Sequence, residues 1–176
     1  MEHQEQAIET LLQPFRQQLG GDYEKYKNHT CRVLAACMLL DSAAENSEKY
    51  AIAAAFHDIG IWTHHTLDYL GPSAEQAAAY LSKAGKADWA AEIAQMIHWH
   101  HKMTPYKGEN QHTVETFRKA DWIDVSLGLM RFGTDGRRLR DNRKRWPNLG
   151  FHLFLAKGTF KNLLRHPLNP LPMFKK

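Results

Sequence analysis

Along the chain, apolar residues recur at intervals of three and four. Ile8, Leu11, Leu12, Phe15 and Leu19 mark one face of a helix over residues 2–19, and Gly20-Gly21 stops the pattern. A second helix is predicted over about 23–40, with Tyr26, Val33, Leu34, Cys37 and Met38 facing inward and His29 close to that face. Ser47 is an acceptable N-cap for a third, whose alanine-rich run through Phe56 reaches His57 and Asp58 before Gly60, where helices often end. The small alanines let a neighbouring helix approach closely, so His57 and Asp58 are expected at the end of a buried helix. Ser73 is read as the N-cap of a helix to about Lys83, Ala87 to His101 as another, and Thr113 to about Phe132 as another with Val114, Phe117, Ile123, Leu127 and Met130 roughly in phase. Residues 151–164 form the last predicted helix, followed by an extended proline-rich tail, HPLNPLPMFKK. No stretch alternates with period two, so an all-α single domain is expected.

Length supports one domain: 176 residues is close to the ~150 typical of a single unit. With 43% hydrophobic and 24% charged residues the chain has enough apolar material for a core, which excludes wholesale disorder. The longest apolar run, Val33 to Leu40, falls far short of the ~18 residues of a membrane span, and the start MEHQEQ has no secretory pattern. Cys31 and Cys37 are the two cysteines, about 9 Å apart in rise along one helix, too far to bridge. They read as buried hydrophobes in a reducing, cytoplasmic setting.

Charge is uneven. The net charge is +4, but residues 131–145 carry seven basic side chains against Asp135 and Asp141, so this stretch alone holds +5. A solvated helix face or loop is the plainer expectation for it, and attraction of a phosphate-bearing partner the sharper one.

Histidine stands out with 11 copies, eight of them between residues 29 and 112. Neutral imidazole both ligates metals and titrates near neutrality, so the cluster calls for a site. His29, His57-Asp58 and Asp121 sit on separate predicted helices, and ligands from three helices can surround one divalent cation while leaving room for water. Adjacent residues point about 100° apart on a helix, so His57 and Asp58 reach one ion together only near a helix end. No glycine-rich phosphate loop, HExxH, CxxC or GxSxG is present.

The segments Ala-Phe-His57-Asp58-Ile-Gly60, Asn-His29-Thr-Cys-Arg-Val and Lys-Ala-Asp121-Trp-Ile-Asp together resemble the HD-domain metal-dependent phosphohydrolase superfamily, whose H…HD…D pattern lies on an all-helical bundle. The resemblance covers about residues 23–132 and leaves a basic C-terminal extension over about 133–176. It implies His29, His57, Asp58 and Asp121 as metal ligands, with Asp121 preferred to Asp124 because Ala-Asp is the family's usual context. Asp58 is then also available to bridge a second ion. His98-Trp99-His100-His101 matches the adjacent histidines of two-metal members. At the earlier histidine position, however, this chain reads Asp68-Tyr-Leu-Gly-Pro-Ser73, so one metal is favoured, with His100 and His101 as supporting or second-metal candidates.

By the same resemblance the cofactor is a divalent ion, among Mn, Fe, Co, Ni, Zn and Mg, and the activity is hydrolysis of a small, nucleotide-like phosphoester. Asp58 is expected to orient the attacking water, and Arg32, His100, His101 or Lys102 to offset transition-state charge. A hydratase or iron oxygenase on the same ligands, or a non-catalytic module using the basic stretch, are the alternative readings. No membrane association is expected, and nucleic acid is the less favoured partner. His64 and His65 are candidates for the site mouth. Trp62 and Trp99 are read as packing residues rather than nucleobase platforms.

Overall fold

The structure, a computed structural model, describes residues 2–165. It opens with α1 (Glu2–Leu12), which buries Ile8, Leu11 and Leu12, and a 3-10 turn carrying Pro14 leads into the short α2 (Arg16–Leu19). The single helix expected over 2–19 is therefore interrupted, because a proline ring fits a first turn but not a helix interior. α3 (Tyr23–Leu40) has the expected bounds and is buried at every residue from Asn28 to Cys37. α4 (Ser47–Phe56) is buried all round from Tyr50 to Phe56, as a helix with no polar face must be. His57, Asp58 and Ile59 form the turn that follows, and α5 (Gly60–Thr63) begins at once.

Gly60 does more than end a helix. A Cβ there would lie 2.6 Å from the Tyr69 carbonyl oxygen, and the Gly60 amide donates to Ser73 Oγ at 3.0 Å. α6 (Leu70–Lys83) therefore starts three residues before Ser73, whose hydroxyl is spent on this crossing rather than on capping its own helix. A 3-10 turn at Ala87–Trp89 precedes α7 (Ala90–Trp99), which His100 caps.

α8 (Gln111–Val125) stops well short of Phe132. The chain leaves it through Leu127 and Gly128, both with left-handed φ (55° and 72°), and the Gly128 amide closes the end on the Ile123 carbonyl at 2.7 Å. Leu127 and Met130, read from the sequence as core, are consequently exposed. The basic stretch forms α9 (Gly136–Arg145), whose N-cap Asp135 accepts the Arg137 amide and which anchors through Leu139 and the following Trp146. α10 (Phe151–Arg165) is the final described element, and the expected extended tail lies outside the described residues.

α3 is the axis, with α1, α4, α8, α9 and α10 packed against it. The described residues contain helices and no strands. Both cysteines are free and buried. No described helix is long and apolar enough to cross a membrane.

Candidate metal centre

Where α3, α8, the turn after α4 and the end of α7 meet, five ionisable side chains face one another, with His29, His57 and His100 at 0% exposure, Asp121 at 1% and Asp58 at 3%. His29 Nε2 and His57 Nε2 are 3.0 Å apart. Asp58 Oδ2 is 3.8 Å from the first and 3.3 Å from the second, and Asp121 Oδ1 is 3.7 Å from both. The other Asp58 oxygen, Oδ1, lies 3.5 Å from His100 Nε2. The adjacency of His57 and Asp58 works because both sit in the turn, where successive side chains can converge.

Hydrogen bonds fix which nitrogen of each imidazole is free. His57 Nδ1 meets the Ala54 carbonyl at 2.8 Å and His100 Nδ1 the Ile97 carbonyl at 2.6 Å, and a carbonyl can only accept. His29 Nδ1 meets the Asp124 carboxylate at 2.7 Å. Each Nδ1 therefore carries the proton, and three Nε2 lone pairs point into the centre. Asp124 in turn accepts from Arg32 Nε at 2.6 Å and Nη2 at 2.9 Å, while Arg32 Nη1 donates to the Trp146 carbonyl at 2.8 Å. Phe151 stacks on the His29 ring at 4.2 Å, and Phe117 sets its edge against His57.

Such a set suits a cation. Asp58 Oδ1, Asp121 Oδ2 and His100 Nε2 are buried without a hydrogen-bond partner, a costly condition for polar atoms unless an ion or ligand satisfies them. Burial opposes charge on His57, but the carboxylates of Asp58 and Asp121 prevail and lift it to about 9, so the carboxylates demand a positive charge at that nitrogen. Burial likewise opposes ionisation of Asp58, yet His57 and His100 hold its carboxyl well below the usual range. At Asp121 burial wins over the three imidazoles and its pKa is raised. Two ligand groups share Asp58: His29, His57 and Asp58 on one side, and Asp58, His100 and His101 on the other. Imidazole and carboxylate donors of this kind fit a borderline divalent ion such as Mn, Fe, Co, Ni or Zn.

The structure thus brings His29, His57, Asp58 and Asp121 together, with His100 beside them. Asp121 rather than Asp124 faces the centre, and Asp124 instead grips the back of His29. Arg32 is placed differently from expectation: it lies behind His29, its guanidinium occupied by Asp124 and Trp146, and offers no cation to a phosphate. His98 belongs to neither ligand group among the described residues. His64 faces a groove lined by Thr10, Phe15, Phe56 and Gln76, and His65 one beside Gly158 and Lys161, so neither borders the centre. Trp62 stacks on Phe154 and donates to Asp22, and Trp99 packs on Tyr106, as packing residues do.

Tyr69 was not singled out in the sequence. Its hydroxyl shares a hydrogen bond with His101 Nε2 at the point where the Asp58, His100 and His101 group closes, and burial followed by the Asp58 charge pushes its pKa well above 10. The phenol thus stays protonated and serves as a donor. Its only sequence signal was its place in the segment that lacks a histidine.

An all-helical bundle that seals histidines and carboxylates together in groups able to hold a cation has the make-up of a helical metalloprotein. The HD domain family model matches residues 26–128, more than half of the chain, and the protein belongs to that family, most of whose members are metal-dependent hydrolases. No curated protein and no solved structure gave a significant match to the chain.

Proposed function

We propose that the protein is a metal-dependent phosphohydrolase acting on a small, nucleotide-like phosphoester. The observation that carries this reading is the convergence of three Nε2 lone pairs and two carboxylates with buried, unpartnered atoms in one place. His29, His57, Asp58 and Asp121 are the residues to hold a divalent ion. When bound, such an ion polarises a phosphoryl oxygen and makes water a nucleophile at neutral pH. Asp124 and the Ala54 carbonyl keep His29 and His57 in the tautomer that presents Nε2. Asp58, ionised and with Oδ1 aimed away from His29 and toward His100, is placed to accept a hydrogen bond from the attacking water and orient it. His100, protonated at Nδ1, leaves Nε2 for a second ion or for the water's proton, and Tyr69 holds His101 beside it.

The test is a phosphoester screen of purified protein with Mn²⁺, Co²⁺ or Ni²⁺. Activity toward at least one phosphomonoester or nucleotide is expected, and Asp58→Ala should abolish it. Activity equal in the variant, or none with any of the three metals, refutes the reading.

A further inference from the structure

Residues 126–145 carry a second feature, remote in chemistry from the metal centre. α8 ends early, and the apolar residues that continue its core stripe in the sequence are turned outward: Leu129 is 88% exposed, Leu127 53%, and Met130 and Phe132 37% each. Water is a poor environment for four large apolar side chains within six residues, and groups of this kind mark interaction sites. Cations ring them. The Arg131 side chain lies against Gly136 and donates to the Gly128 carbonyl at 3.3 Å, and Arg143 lies against Gly128, so the loop and α9 form one continuous surface. Arg137, Arg138 and Arg140 on α9 are exposed and have no acidic partner among the described residues. At the other edge, the Asp124 carbonyl accepts from both the Leu127 amide and His152 Nε2, which joins the loop to the start of α10, where Leu149 and Leu153 are also exposed.

From this juxtaposition we infer that the 127–132 loop and α9 together dock on an anionic bilayer surface. Such a surface takes both halves of the feature at once: apolar side chains enter the headgroup and acyl boundary while arginines spread their guanidinium groups over lipid phosphates. Nucleic acid would engage the arginines and leave Leu129 and Phe132 in water. The expectation from the sequence of no membrane association rested on the absence of a span; the exposed loop supplies a different mode, lying on the surface rather than crossing it.

The experiment is co-sedimentation of the full chain with vesicles of phosphatidylglycerol and phosphatidylcholine in a one-to-three mixture, against phosphatidylcholine alone and against a duplex DNA. Binding to the anionic vesicles, weakened by salt and lost on phosphatidylcholine, is expected. Arg138→Gln and Arg140→Gln should each reduce partitioning about fivefold. Leu129→Ser, at a nearly fully exposed position that folding does not need, should reduce it at least as much with an unchanged melting temperature. Absence of vesicle binding, vesicle binding indifferent to Leu129→Ser, or tighter binding to DNA that ignores Leu129→Ser would each overturn the inference.

Discussion

Replacing Asp124 by asparagine tests whether the carboxylate behind His29 shapes the metal centre from a distance. The native group accepts three charge-assisted or ring hydrogen bonds, from His29 Nδ1 at 2.7 Å and from Arg32 Nε and Nη2 at 2.6 and 2.9 Å. Burial opposes ionisation of Asp124, but the hydrogen bond from His29 and then those from Arg32 prevail and hold its carboxyl far below the usual range. An amide oxygen replaces one carboxylate oxygen, but the amide nitrogen is a donor and meets another donor, either His29 Nδ1 or an Arg32 nitrogen. Two losses follow. Arg32, 4% exposed, becomes a buried charge without a counterion, at a cost of about 3–5 kcal/mol in stability. His29 exchanges a charged carboxylate acceptor for at best a neutral amide oxygen, which lowers its strength as a ligand and weakens metal binding about 10–100-fold. Titration calorimetry with Mn²⁺ or Zn²⁺ reads the second loss and thermal denaturation the first. The double variant Arg32→Met/Asp124→Asn separates them: it removes the stranded charge, recovers much of the stability and leaves metal affinity impaired. Wild-type metal affinity in a folded Asp124→Asn protein would refute the argument.

Further predictions are more direct. The His57 pKa, about 9 in the fold against 6.5 for a free imidazole, stabilises the metal-free protein fully below pH 6.5, and this contribution is lost as pH rises through 9. Because a cation must displace that proton, metal affinity measured by calorimetry should increase by up to tenfold per pH unit between pH 6.5 and 9; a flat profile would contradict it. Gly60→Ala forces a Cβ to within 2.6 Å of a backbone oxygen and should destabilise the protein by about 1–3 kcal/mol, visible as a melting temperature lower by several degrees. Phe151→Ala removes the ring stacked on His29 and should cost about 3–5 kcal/mol on denaturant unfolding, whereas a loss below 1 kcal/mol would show that α10 does not hold the bundle together.

The two central helices were legible from apolar and alanine content and from the residues that bound them rather than from an amphipathic period, since both are buried nearly all round. α3 has its predicted bounds, and α4 leads into His57 and Asp58 where alanine content and Gly60 placed them. Boundaries set by tertiary contacts were not. Ser73 looks like an N-cap in isolation, and only the crossing of Gly60 against Tyr69 explains why its hydroxyl points elsewhere. α8 illustrates the limit of periodicity: Leu127 and Met130 keep the phase of the core stripe, but the left-handed turn at Leu127 and Gly128 ends the helix first. At the centre, residue types and order pointed to His29, His57, Asp58 and Asp121, whereas the roles of Asp124, Arg32 and Tyr69 depend on facing surfaces. His29 and Arg32 lie three apart on α3, and Asp121 and Asp124 three apart on α8, so two helix faces present matched pairs, one toward the candidate centre and one behind it.

The sealing of the five central side chains at 3% exposure or less has an outcome for handling the protein. If an ion binds there as proposed, it becomes part of the interior in the same sense as a packed side chain, so a chelator would act as a mild denaturant and the stripped form would unfold at lower temperature than the loaded one. Exchange of that ion would keep time with the breathing of the helices around it, and long dialysis rather than a brief wash would be needed to empty the site.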